Sequence, residues 1–310
     1  MWKILSGAFL GWSLGANDSA NVFGTGVATG TVRYGTAIGL TAVFVMLGAL
    51  LEGPKCMQTL TDLSSLLPLN AFLCALAAGL TMAALTYLAV PASSSHAIIG
   101  AILGVGILQG TADFSRLFKI VTCWVLAPIC GLVFAYALYR LLALMLERSR
   151  MGVTRRNRLY RMGILIAGCY GAYSLGSNNV ANVTGVYVGS GFLTPEAASL
   201  IGGGSIAFGV VTYSHRVMMT VGKGIAPLDP FSAFVTVLAG ALSLHLFTQV
   251  GIPVSSSQAV VGAVVGVGLV GDVRTVNPRM LARIGLGWLL TPLAAGVLAW
   301  LFVVGMRQVL

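Results

Sequence analysis

The sequence predicts an all-α polytopic membrane protein. It reads as an inverted structural repeat of about five membrane segments per half, with broken or re-entrant helices. Three observations carry this. Of 310 residues, 57% are hydrophobic and only 8% are charged, whereas a soluble domain carries about 25% charged residues. Apolar stretches recur from end to end, and a span takes about 20 such residues. The chain also repeats itself. "SLGANDSANVFGTGVATG" from Ser13 returns as "SLGSNNVANVTGVYVGSG" from Ser174, 161 residues later. "VPASSSHAIIGAILGVGI" from Val90 returns as "IPVSSSQAVVGAVVGVGL" from Ile252, 162 residues later. "WVLAP" at Trp124 returns as "WLLTP" at Trp288, and Lys55, Met57 and Thr59 match Arg216, Met218 and Thr220. The alternating ten-residue segments of a membrane β-barrel are absent.

The first half, 1–147, offers apolar segments at about 4–30, 36–53, 71–90, 93–109 and 117–146. The first begins like a signal peptide, with Lys3 before an apolar run. It leads into an Asn/Asp cluster without a cleavage site and reads as a retained span. Segment 93–109 is short enough to be re-entrant. An odd count per half would place the second half, 162–310, upside down, the plan of many secondary transporters. Between the halves lies a linker, 148–161, with six arginines in "RSRMGVTRRNRLYR". Short basic loops between spans stay on the cytoplasmic side, so both termini would lie outside. The same reasoning explains the net charge of +10 without nucleic acid. Cys56, Cys74, Cys123, Cys130 and Cys169 stand singly in mostly apolar surroundings, as packing residues do.

Two polar constellations interrupt the apolar chain. The first is the cluster Asn17, Asp18 and Asn21, with Asn178, Asn179 and Asn182 as its second copy. Residues four apart share a helix face. Flanking glycines would let the helix unwind or let another backbone approach closely, and freed carbonyls, amide oxygens and one carboxylate suit a small hard cation. A lone asparagine in a span is usually helix–helix glue. Asp18 argues otherwise, because a carboxylate at the bilayer centre costs about 2.5–3.5 kcal/mol on the gentler scale. The second constellation is Ser93, Ser94, Ser95 and His96 after Pro91, repeated as Ser255, Ser256, Ser257 and Gln258 after Pro253. Proline stops a helix and serine caps the next. Unpaired N–H groups at a helix start favour an anion, and three hydroxyls beside them would cradle a tetrahedral oxyanion. One serine is enough for a cap; three, twice, exceed it. His96, Thr25 and Glu52 are additional candidates, Glu52 being equally readable as an interfacial residue. His96 does not read as a catalytic base, because no orienting carboxylate is near and its mate is Gln258. No catalytic residue is assigned.

These motifs closely resemble those of the inorganic phosphate transporter (PiT) family. "GANDSANVFGTGVATG", "GSNNVANVTG" and the doubled "P-x-S-S-S-[HQ]" carry the likeness, in order and over essentially the whole chain. The resemblance implies a symporter that moves phosphate with sodium by alternating access, often as a homodimer in the lipid bilayer. It places cation binding on Asn17, Asp18, Asn21, Asn178, Asn179 and Asn182, with Asp18, Asn21 and Asn182 as sodium ligands. It places the anion on the two serine loops. No resident cofactor is implied, only a co-transported Na+ or H+. The expected location is a prokaryotic plasma (inner) membrane. Two departures matter: Asn179 stands where many members have aspartate, and Gln258 where many have histidine. Both also occur in the family's sulfate-permease-like branch, which makes sulfate the runner-up and leaves the coupling ion open. An anion channel and an intramembrane hydrolase are weaker alternatives, because the doubled motifs suit one shared site better than a pore or a unique serine.

Overall fold

The computed structural model describes residues 2–63, 66–90, 92–149, 151–224, 228–270 and 278–309. Pro91, Asp272 and Arg274 lie outside the described residues. Thirteen helices and no strand occur among those described. In the first half they are α1 (Ile4–Asp18), α2 (Ala20–Ala28), α3 (Tyr34–Glu52), α4 (Pro54–Thr61), α5 (Pro68–Tyr87), α6 (Ser94–Gln109) and α7 (Phe114–Arg148). In the second they are α8 (Val153–Gly189), α9 (Pro195–Tyr213), α10 (His215–Gly224), α11 (Pro230–Val250), α12 (Ser256–Val270) and α13 (Pro278–Val309).

The helix ends follow local chemistry. Proline opens α4, α5, α9 and α11, where its missing N–H costs nothing. The Asp113 carboxylate accepts from the Ser115 and Arg116 amides at the start of α7. Asp229 does the same for Phe231 and Ser232 at the start of α11. Gly110 and Gly251 close α6 and α11 in the left-handed region, at φ 69° and 78°. Among the described residues five helices, α3, α5, α7, α11 and α13, are long and apolar enough to cross a membrane; α6 and α12 are apolar but shorter. The outer faces of α7 and α13 present Val125, Ile129, Val133, Leu289, Leu293 and Val297, a surface suited to hydrocarbon.

Three expectations change. The basic linker is mostly helix: α7 ends at Arg148 and α8 begins at Val153, since arginine is a good helix former. The short helices α4 and α10 were not expected; each is too short and too polar to register as a span. The helix around the asparagines is not unwound. In the second copy α8 runs unbroken through Asn178, Asn179 and Asn182. In the first copy the interruption is one residue, Ser19, still at φ −58° and ψ −25°.

The glycines serve close approach instead. A Cβ on Gly15 or Gly209 would strike the carbonyls of Ile206 or Trp12, between α1 and α9. A Cβ on Gly176 or Gly48 would strike those of Val45 or Tyr173, between α8 and α3. Each contact of the first pair has its mate 161 residues away in the second. A mated pair at offsets of 162 and 164 residues joins α6 to α13, through Gly100 and Pro292, and α12 to α7, through Gly262 and Pro128. Apolar side chains gain little by leaving lipid for each other, so backbone proximity of this kind holds membrane helices together. The two halves therefore interlock, each helix of a mated pair seated on the other half.

Candidate functional site

The site is built where the two asparagine clusters meet the two serine segments. Asn17 and Asn178 are buried, at 1% and 0% exposure. The Asn17 amide donates to Thr86 Oγ1 (3.0 Å) and the Val90 carbonyl (3.1 Å), and its Oδ1 accepts from the Ala92 N–H (3.0 Å). Asn178 repeats the arrangement with Thr248 Oγ1 (3.1 Å), the Ile252 carbonyl (3.2 Å) and the Val254 N–H (2.9 Å). Each asparagine thus satisfies backbone groups freed where one helix ends and the next has not begun. These two hold the serine segments in place.

The three serines of each segment have separate tasks. Ser93 and Ser255 are caps, accepting from the amides of His96 and Gln258 (both 3.3 Å). Ser95 and Ser257 brace the segments. Ser95 donates to the Val254 carbonyl (2.9 Å) and also accepts from the Asn182 amide (2.9 Å), and Ser257 accepts from the Trp288 indole (3.2 Å). Ser94 and Ser256 face the clusters. Asn21 donates to Ser256 Oγ at 3.0 Å, and Asn182 donates to Ser94 Oγ at 3.4 Å. The pairing is reciprocal: each half's asparagine reaches the other half's serine.

Asp18 breaks the symmetry. Ser94 Oγ donates to its Oδ2 at 3.0 Å, and Ser256 also reaches the carboxyl. In the mate position, Asn179 Oδ1 accepts from Asn182 instead, at 2.8 Å. Asp18, Asn21, Asn179, Asn182, Ser94, Ser95 and Ser256 therefore form one connected polar cluster. Every member is at most 7% exposed. Asp18 Oδ1, Asn182 Oδ1 and Thr25 Oγ1 are buried oxygens without a hydrogen-bond partner. The Asn179 amide nitrogen is likewise unpaired. Leaving such a group unmade costs about 1–3 kcal/mol. The unpaired oxygens of Asp18 and Asn182, both in this cluster, fit a small cation, and the cluster's hydroxyls and amide donor fit an oxyanion. No group of three His, Cys, Asp or Glu side chains able to hold a transition metal occurs among the described residues.

A family model described as the phosphate transporter family matches residues 14–299, which takes in both clusters and both serine segments. The chain belongs to the phosphate transporter family. It is 30% identical over 299 residues to a Methanocaldococcus jannaschii protein named "Putative phosphate permease", covering 96% of this chain and 95% of that one. It is 27% identical to the sulfate permease CysP of Bacillus subtilis, covering 97% of this chain and 86% of that protein. Its fold matches a solved structure named "The sodium-dependent phosphate transporter", with a TM-score of 0.91, 22% identity, and coverage of 99% and 98% of the two chains. As a member of a transporter family with membrane-length apolar helices, the protein is integral to a membrane and is not an enzyme.

Of the additional candidates, His96 and Glu52 stand outside the cluster. His96 lies behind the first serine segment with its ring against Trp124, centroids 3.8 Å apart. Its Nδ1 donates to the Trp288 carbonyl at 2.8 Å. That carbonyl sits four residues before Pro292, inside α13, where proline has no N–H to offer it. His96 thus repairs a gap in a helix. Glu52 belongs to a separate group at the junction of α3 and α4. It accepts from Lys55 (2.7 Å) and Gln249 (3.1 Å) and lies 3.1 Å from His245 Nε2. The residues missed by sequence reading are Thr86 and Thr248, which receive the two anchoring asparagines. Their signal was available: both occupy the same place, four residues before Val90 and Ile252.

Proposed function

We propose that this protein is a cation-coupled symporter that carries inorganic phosphate by alternating access around the buried cluster. The observation that carries this is the single hydroxyl of Ser94. It donates to the Asp18 carboxyl and accepts from the Asn182 amide, so it touches both the cation ligands and the anion segment. A cation drawing on Asp18 would release or reorient that hydroxyl toward the oxyanion. The coupling has an electrical reason. Moving one negative charge into a negative interior costs about 2.3 kcal/mol per 100 mV, and a divalent anion about twice that. Co-transported cations offset the cost.

Sodium is the coupling ion of this reading, with Asp18, Asn21 and Asn182 as its ligands. The unpaired hard oxygens favour it, as does the name of the solved structure sharing the fold. The reciprocal Asn–Ser and glycine–carbonyl contacts support two halves, 1–147 and 162–310, related by a two-fold axis in the membrane plane. Exchange of their packing would expose the site to each side in turn. In the same reading the arginine joint faces the cytoplasm of a prokaryotic cell, both termini lie outside, and the transporter is a homodimer.

Sulfate is the second reading, favoured by Asn179 and Gln258 and by the likeness to a sulfate permease. Uptake of labelled phosphate and sulfate into liposomes, each with and without sodium and proton gradients, separates the two. Saturable phosphate uptake that rises with an inward sodium gradient is expected. Sulfate uptake exceeding phosphate uptake would replace the substrate, and flux indifferent to both gradients would sink the symporter.

A further inference from the structure

We propose that the joint between the two halves holds an anionic phospholipid. An apolar cavity of about 510 Å3 lies between the end of α7 and the starts of α8 and α11. Leu142, Met145, Leu159, Met162, Phe231 and Phe234 wall it. Methionine and leucine adapt to a flexible hydrocarbon chain. The Phe231 ring is itself braced by Tyr139 and Tyr160, at centroid distances of 4.9 and 5.6 Å.

Basic residues flank this cavity along the chain. Arg148, Arg155 and Arg158 are exposed and Arg156 is half-buried. Arg156 Nη2 donates to the Leu146 carbonyl at 3.2 Å, and Leu146 lines the cavity. The guanidinium is thereby fixed at the mouth, with its Nε–H buried and unpartnered. Glu147 is the one acidic residue between positions 114 and 195. None of the ion pairs among the described residues involves these arginines. An apolar slot for a chain beside several unneutralised guanidinium groups is the chemistry of a phospholipid with a net negative headgroup. Inorganic phosphate would use the arginines and ignore the slot, and a zwitterionic lipid would use the slot without gaining from the arginines. The repeat offers no second copy, because the joint occurs once in the chain.

Native mass spectrometry of the full-length protein tests this, with phosphatidylglycerol, phosphatidylcholine of the same chains, and inorganic phosphate as probes. One retained phosphatidylglycerol per chain is expected, in preference to phosphatidylcholine. Substituting Arg155→Gln, Arg156→Gln and Arg158→Gln together is expected to weaken it about a hundredfold, at roughly fivefold for each basic group near an anionic headgroup. Leu159→Trp, which narrows the slot and leaves every charge, is expected to weaken phosphatidylglycerol while sparing inorganic phosphate. Equal retention of the two lipids would overturn the proposal. So would phosphatidylglycerol binding that survives the arginine changes, or that is indifferent to Leu159→Trp. If the triple variant does not fold, Arg156→Gln alone and Leu159→Trp still decide.

Discussion

Asp18→Asn is expected to abolish cation-coupled uptake while the protein still folds. Asp18 is the one carboxylate in the buried cluster, 1% exposed, and one of its oxygens has no partner. Asparagine has the same shape, and its Oδ1 can still accept from Ser94. The fold also tolerates this residue at the mate position, where Asn179 is buried within an unbroken helix. What disappears is the charge. Removing one partner of a buried ionic pair costs about 3–5 kcal/mol, which predicts at least a hundredfold loss of cation affinity. Uptake in liposomes, normalised to folded protein by size-exclusion profile and unfolding temperature, reads the effect. Wild-type coupled rates from a well-folded variant would show that the charge at Asp18 does not drive coupling.

Gly176→Leu is expected to prevent stable assembly, whereas Gly39→Leu is expected to leave assembly intact and the fold at least as stable. A Cβ on Gly176 would run into the Val45 carbonyl, part of the rigid backbone of α3. The two helices must separate to admit a side chain, and overpacking of this kind costs about 1–3 kcal/mol or more. Separation would also move Asn178, Asn179 and Asn182, which follow on the next turns of α8. Gly39 is on α3 too, but nothing lies within 4 Å of a Cβ there. Leucine at that position removes a glycine that disfavours the helix by about 1 kcal/mol. Thermal unfolding of both variants in detergent checks the pair. Equal behaviour would mean that the glycine contacts do not hold the halves together.

The asymmetry between these two glycines marks what was legible in the sequence. The repeat could be read because its mates kept residue identity and order, from Ser13 and Ser174 to Trp124 and Trp288. The helical class followed from composition alone. The glycines carried two readings in the sequence, because a glycine in a span has two uses, flexibility and close approach. Only the neighbouring helix decides between them, and for Gly176 that helix is more than 120 residues away in the chain. The helices α4 and α10 escaped notice because they are short and amphipathic, though the Lys55 and Arg216 matches marked their positions. The sequence marked two clusters and two serine segments, which the fold brings together, but it did not show them crossed. Asn21 meets Ser256 and Asn182 meets Ser94, and no spacing within either motif encodes that exchange. The division of labour among the serines was equally hidden. A cap, a brace and a facing hydroxyl have the same letter, and only their partners tell them apart.

The crossed arrangement has a thermodynamic consequence. If Ser94 connects cation and anion, each ligand must strengthen the other by the same factor. Phosphate binding to the purified protein, measured at rising sodium at fixed pH and then at falling pH without sodium, reads that factor directly. The phosphate Kd is expected to fall as sodium rises, by fivefold or more on the usual scale of such coupling. The dependence is expected to vanish in Asp18→Asn. A phosphate Kd that is the same at every cation concentration, or that keeps its dependence without Asp18, would contradict a single shared site.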